Sequence, residues 1–107
     1  MPEDARAGYD DVVAELTATS AATGGQMFGM PCLKIGGKAF AGLYGEAMVF
    51  KLPAGAHAQA LALPGARLFD PSGRGRPMRE WVEVPREHTS RWAEFGRQAL
   101  AYVEGAS

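Results

Sequence analysis

Three short apolar segments joined by glycine-containing turns constrain the fold of this chain more than any other feature. The segments are residues 32–35, 38–41 and 47–51. Gly36-Gly37 separates the first two, and such a pair supplies the positive φ angles that a two-residue hairpin turn needs. Gly45-Glu46 marks the second turn. Three consecutive strands with short turns predict an antiparallel meander.

Helical patterns surround this meander. Residues 4–19 repeat apolar side chains at the i, i+3, i+4, i+7 spacing of one helical face, and residues 54–63 form a short alanine-rich segment between prolines, which also predicts a helix. A last helix is predicted from about residue 86 or 90 to residue 104. Within this helix, Trp92 begins an aromatic stripe. Residues 17–25 are small, polar and then glycine-rich, which predicts a loop.

Two further strands complete the predicted sheet. They are residues 67–69 and 78–84, separated by the turn-forming residues 70–73 and ended by Pro85. The order α-β-β-β-α-β-β-α predicts a single α+β domain over residues 1–107. We expect a five-stranded antiparallel sheet with the helices packed on one of its faces.

The composition is that of an ordinary globular protein. Of the 107 residues, 47% are hydrophobic and 21% are charged. No apolar run approaches the roughly 18 residues needed to cross a membrane, and no apolar segment follows the acidic N-terminus. The single cysteine cannot form an internal disulfide. We therefore expect a cytoplasmic protein that does not contact a membrane.

Several short motifs follow one another in a fixed order along the chain. A Met-Phe-Gly step precedes a short strand, a glycine-containing turn and a Phe-Ala strand, and Trp-Val-Glu-Val-Pro and a helical tryptophan follow later. The residues that mark these motifs are Met27, Phe28, Gly29, Gly36, Gly37, Phe40, Trp81, Pro85 and Trp92. Together they resemble the N-terminal domain of the TfoX/Sxy family, over residues 5 to 103.

The resemblance implies a small α+β domain of the kind grouped with secretion-chaperone-like folds. It implies a regulatory or protein-interaction module, and the family offers no established catalytic residues to transfer. Members named for competence regulation usually carry a second, C-terminal helical domain, which these 107 residues do not include. We therefore expect a stand-alone domain of the N-terminal type.

The string of residues 27–31, Met-Phe-Gly-Met-Pro, has two interpretations. Met and Phe adapt to varied surfaces, so the string is one candidate for a partner-binding lip. Alternatively, it leads into the core, with Gly29 permitting an unusual backbone turn. The sequence favours the second interpretation.

No local pattern indicates an active site, a cofactor or a metal. His57 and His88 are the only histidines, and neither Cys-x-x-Cys nor His-x-x-x-His spacing occurs. Cys32 is expected to be a small buried hydrophobic residue. The glycine pairs lack the surrounding residues of a phosphate-binding loop. We predict that the protein is not an enzyme and binds neither a cofactor nor a metal.

Positive charge is concentrated in the middle of the chain. Residues 31–79 carry seven basic and two acidic residues, whereas both flanks are acidic. The candidate residues for contacts with a partner or with phosphates are Lys38, Lys51, Arg74, Arg76 and Arg79. Residues 73–77 also resemble the core of an AT-hook, which lies in the minor groove of DNA. A turn between two strands is the simpler interpretation.

Two hypotheses of function follow. The preferred one is a non-enzymatic module that binds a protein partner, or a second copy of itself as a homodimer, through a sheet surface or edge. The alternative is a nucleic-acid-binding module that uses the basic segment from Lys34 to Arg79. Convergence of the basic residues on one face would favour the alternative.

Overall fold

The meander predicted from the sequence lies at the centre of a larger antiparallel sheet. The computed structural model describes residues 4–71, 73, 75 and 77–105. The helices are α1 (Ala5–Thr19), α2 (Ala54–Leu61) and α3 (Thr89–Gly105), with a 3-10 turn at Arg86–His88. The strands are β1 (Thr23–Met27), β2 (Met30–Ile35), β3 (Lys38–Tyr44), β4 (Ala47–Lys51), β5 (Arg67–Phe69) and β6 (Met78–Pro85). Within the described residues the sheet therefore has six strands, in the order β1-β2-β3-β4-β6-β5.

The α+β class and the antiparallel sheet are confirmed, but the number of strands was predicted wrongly. The predicted loop at residues 17–25 is in fact the end of α1 followed by most of β1. Glycine is unfavourable in strands, so Gly24 and Gly25 obscured the signal. The strand forms nevertheless because a tight turn after Met27 aligns this segment with β2, whose backbone supplies the pairing partners.

The main core lies between the sheet and the helices. Trp92 and Phe95 of α3 are fully buried, and the Phe95 ring lies 5.9 Å from the ring of Phe50 on β4. Tyr9 and Leu16 add the buried face of α1 to the same cluster. Each large side chain buried in this way contributes roughly 1.5–3 kcal/mol. The helical spacing seen in the sequence therefore corresponds to the packed face.

A second, smaller cluster covers the opposite face of the sheet. Its buried members are Met30, Val49, Phe69 and Trp81, all from strands. The Phe69 ring lies 6.3 Å from that of Trp81 and 5.0 Å from that of Tyr44, although two strands separate β3 from β5 in the sheet. The end of β5 therefore folds over this face. All three helices contribute to the main core and none to this cluster, which agrees with helices packed on one face.

None of the helices in the described ranges has the length and apolar character needed to cross a bilayer.

Candidate interaction edge

Three of the predicted basic residues lie at one end of the sheet. Lys38 begins β3, Lys51 ends β4, and Arg79 is the second residue of β6. Because these neighbouring strands are antiparallel, the start of β3, the end of β4 and the start of β6 share that end. The two remaining candidates, Arg74 and Arg76, lie outside the described residues.

Carboxylates accompany these basic residues. Lys51 Nζ lies 3.9 Å from Glu80 Oε1, and Glu80 also accepts a hydrogen bond from the hydroxyl of Tyr102. The carboxylate of Asp70 accepts hydrogen bonds from the amides of Gly73 and Gly75, at 3.0 and 2.9 Å. Interleaved acidic groups weaken the positive potential on which phosphate binding depends. The nucleic-acid hypothesis stays a prediction.

Both histidines support the backbone. His57 Nε2 lies 2.8 Å from the carbonyl oxygen of Arg79, and His88 Nε2 lies 2.8 Å from that of Pro64. A carbonyl oxygen only accepts, so Nε2 is the protonated nitrogen in each ring. Each ring thus fixes a connection between elements distant in sequence. No group of three or more metal-ligating side chains comes together in the described part of the chain.

The single cysteine is buried, as expected. Cys32 is fully shielded from solvent in β2. Burial raises the pKa of its thiol, and Lys34 only partly opposes that shift. A raised pKa makes the thiolate scarce near neutral pH, which is the opposite of a reactive cysteine.

Most of the residues that carry the family resemblance have structural positions. Phe40 and Trp92 are fully buried and Trp81 is nearly so, while Pro85 ends β6. The Gly36-Gly37 pair forms the predicted hairpin turn, with φ angles of 57° and 80°. Met27 packs against the second cluster. Two further members of the set, Phe28 and Gly29, lie elsewhere, at a turn on the edge of the sheet.

Strand β1 forms one edge of the sheet and lacks the charge, proline or bulge that commonly protects such a strand. Natural edge strands are commonly short, charged, proline-containing or bulged, which prevents uncontrolled pairing. The Thr-Gly-Gly-Gln-Met sequence of β1 has no charge and no proline. Its five residues pair with β2 in continuous register, from Thr23 opposite Lys34 to Met27 opposite Met30. We call β1 the open edge.

The hairpin geometry determines which backbone groups the open edge presents. Met27 and Met30 flank a two-residue turn, and such residues exchange both of their backbone hydrogen bonds. Hydrogen-bonded and non-bonded pairs then alternate along an antiparallel ladder. Gly25 therefore bonds toward β2, whereas the amides and carbonyls of Gly24 and Gln26 point away from the sheet. These two residues offer an incoming strand two donors and two acceptors.

A shallow cleft of about 290 Å³ lies between helix α1 and the open edge. From α1 it is lined by Arg6, Tyr9, Asp10 and Val13. Arg6 and Asp10 form an exposed ion pair, with Nε and Oδ1 separated by 3.1 Å. Burial, together with the nearby Cys32, raises the pKa of Tyr9 to about 12, although Arg6 acts in the opposite direction. The uncharged Tyr9 therefore forms the base of the cleft, and the charged Arg6 and Asp10 lie at its rim.

Phe28, in the turn beside the open edge, is both exposed and strained. The residue is 63% exposed, and its φ of 53° makes it the one non-glycine residue with positive φ among those described. This conformation costs an ordinary L-residue roughly 1–2 kcal/mol. Asn, Asp or Gly is the usual residue at this position of such a turn. An aromatic residue held there with most of its surface exposed is a candidate for a role in binding.

The core-entry interpretation of residues 27–31 describes Gly29 and Met30, and the partner-binding interpretation stays a prediction. Gly29 takes a φ of 75° and permits the predicted backbone turn, and Met30 enters the second cluster. Phe28 instead projects outward. Sequence reasoning identified this string but missed the open edge, because a residue's position at a sheet edge depends on strand order. The Phe-Gly pair between two methionines was the available signal for the hairpin.

Comparison with protein-family models, with curated proteins and with solved structures finds no match to this chain. The resemblance to the TfoX/Sxy N-terminal domain therefore stays a prediction based on its motifs. The fold and the candidate site define an α+β domain with one open β-edge.

Proposed function

We propose that this protein is a non-enzymatic protein-interaction module that adds an extended segment of its partner to the open edge. The single observation that carries the proposal is an unprotected edge strand beside a strained, exposed Phe28. A regulatory role agrees with the resemblance to the TfoX/Sxy N-terminal domain. In strand addition, main-chain hydrogen bonds supply affinity and side-chain contacts supply specificity.

The energetic terms predict a reversible contact. The outward backbone groups of Gly24 and Gln26 would form hydrogen bonds worth about 1 kcal/mol each. Burial of the Phe28 ring would add roughly 1.5–3 kcal/mol. Ordering the partner segment and losing its translational freedom offset much of this gain. We therefore expect weak, reversible binding, which suits a transient regulatory interaction.

The surroundings of the open edge provide different chemistry on its two faces. On the helix side, Arg6 and Asp10 offer one charge of each sign to polar side chains of the segment. On the other side, Met27 and the aliphatic part of Lys34 present an apolar strip, since Lys34 lies across Gly25. An extended segment that alternates polar and apolar residues would match both faces.

Selection of peptides tests this proposal and requires no candidate partner. A displayed library of short random peptides is selected on the immobilised protein, and each recovered peptide is measured on two variants. Gln26→Pro removes an outward amide donor, and proline is tolerated on an edge strand when its nitrogen faces solvent. Gln26→Ala is the matched control, because it removes the side chain and keeps that donor.

We expect the recovered peptides to bind Gln26→Ala as they bind the parent protein. They should bind Gln26→Pro at least tenfold more weakly, since the ring removes one hydrogen bond and obstructs its neighbour. Equal binding to both variants, or the recovery of no binding peptide by a protein that is monomeric under the selection conditions, would refute strand addition at this edge.

A further inference from the structure

We propose that the segment bound at the open edge is the same strand of a second copy, so that two chains pair β1 against β1 in one continuous antiparallel sheet. A two-fold axis perpendicular to the sheet would then pass beside Gly25. This inference rests on the proposed function, because it names the partner that occupies the same edge.

The outward backbone groups select this register. Antiparallel self-pairing about Gly25 places Gly24 opposite Gln26 of the partner subunit. The same symmetry places Gln26 opposite Gly24 of the partner subunit. Every outward donor and acceptor of β1 then finds an equivalent group in the second copy. An axis at Gly24 would instead pair Gln26 with Ala22, outside the strand, and an axis at Gln26 would pair Gly24 with Phe28, in the turn.

The side chains also fit this register. A non-hydrogen-bonded antiparallel pair brings two Cα atoms to about 4.5 Å, and at the axis both residues would be glycine. A Cβ at Gly25 would meet Lys34 Cε at 3.2 Å, so this position is already crowded on one face. Elsewhere a large residue faces a small one: Gln26 faces Gly24, and Met27 faces Thr23. No like charges oppose each other within the paired strands.

Charges beside the strands supply one favourable and one unfavourable contact. The two-fold axis makes the α1 helices antiparallel on the same face, which brings Arg6 toward Asp10 of the partner subunit. Both side chains are more than half exposed and so are accessible. On the opposite face, each Lys34 approaches the axis along Gly25. Two like charges converge there, so Lys34→Ala substitution is expected to tighten the dimer.

Sedimentation velocity over a concentration series tests the self-association. We expect a monomer–dimer equilibrium for the parent protein and for Gln26→Ala. Gln26→Pro should raise the dissociation constant at least tenfold, because the two-fold axis applies each substitution twice. Lys34→Ala should lower it. Monomers at all concentrations, an unchanged dimer in Gln26→Pro, or a weaker dimer in Lys34→Ala would each overturn the proposed pairing.

Cysteine crosslinking tests the register itself, in a Cys32→Ala background. Gly25→Cys should form an intermolecular disulfide on mild oxidation, because directly opposite Cβ atoms in such a pair lie within about 5.5 Å. Gly24→Cys is the matched control, since its opposite residue is Gln26 and not another cysteine. Faster crosslinking at position 24 than at position 25 would overturn the register.

The two proposals can fail separately. A monomeric parent protein that still binds selected peptides in a Gln26→Pro-sensitive manner would overturn self-pairing and leave strand addition intact. A monomer that also selects no peptides would overturn both.

Discussion

The two edges of the sheet are built differently, and only one of them presents regular unpaired backbone groups. Strand β5 has three residues, an irregular register between Leu68 and Phe69, and an exposed Arg67 whose guanidinium lies 3.3 Å from Glu83. The open edge has five residues, continuous register and no charge. Edge strands attract unwanted pairing unless they are protected. This contrast between the edges agrees with the proposal that a partner strand pairs with the open edge.

The phenylalanine near each edge repeats this contrast. Phe69, which ends β5, is fully buried against Tyr44 and Trp81 and seals the second cluster. Phe28, just beyond β1, is 63% exposed in a conformation that disfavours it. The same side chain therefore stabilises the fold at one edge and is available to a partner at the other.

The largest expected effect concerns Phe69, at the protected edge of the sheet. Phe69→Ala should lower the free energy of unfolding by about 3–5 kcal/mol, because it leaves a cavity beneath a buried aromatic cluster. Phe28→Ala should change it by less than about 1 kcal/mol, since the side chain makes little buried contact. Urea denaturation of both variants measures the difference. Similar losses would show that Phe28 also packs in the folded domain.

Alkaline pH tests how much Tyr9, which lies beside the open edge, contributes to stability. The pKa of Tyr9 is about 12 in the folded protein, and the ordinary value is 10. The unfolded chain therefore loses this proton first, so the stabilisation is complete below pH 10 and falls as the pH rises toward 12. The expected loss is on the order of 2 kcal/mol.

Denaturation of the Cys32→Ala/Tyr102→Phe protein across this pH range isolates Tyr9. The raised pKa of the Cys32 thiol, and that of Tyr102 beside Glu80, would otherwise contribute losses of the same sign. Tyr9→Phe in that background should remove most of the remaining dependence. A pH profile that Tyr9→Phe leaves unchanged would place the responsible group elsewhere.

Substitution of the strained turn residue should separate stability from binding. Phe28→Asn creates the Asn-Gly pair that this turn prefers, and we expect about 1 kcal/mol of added stability. The same change removes the exposed ring, so the affinity for selected peptides should fall severalfold. Phe28→Leu is the control, because it keeps both the strain and an apolar side chain. An Asn variant that is more stable and binds equally well would remove Phe28 from the interface.

Sequence reasoning identified those elements whose signals are local. The Gly36-Gly37 turn was predictable because both residues tolerate positive φ, and α1 was predictable from its helical period. The open edge was missed because its turn begins with phenylalanine and its strand contains two glycines. The packing of Phe69 over the sheet could not be predicted either. It brings Phe69 into contact with Tyr44 and Trp81, and no periodic sequence pattern relates these three positions.

The smallest expected effect concerns the means by which β5 is protected. Arg67 is 72% exposed at its side chain, and surface ion pairs contribute little, so Arg67→Ala should change stability by no more than about 0.5 kcal/mol. We also expect no new self-association, because three residues with an irregular register present too few aligned backbone groups for a second strand. Sedimentation velocity of the double variant Arg67→Ala/Gln26→Pro isolates this edge. A dimer in that variant would show that the charge of Arg67 protects β5, and the contrast between the edges would then depend on side-chain charge and not on backbone geometry.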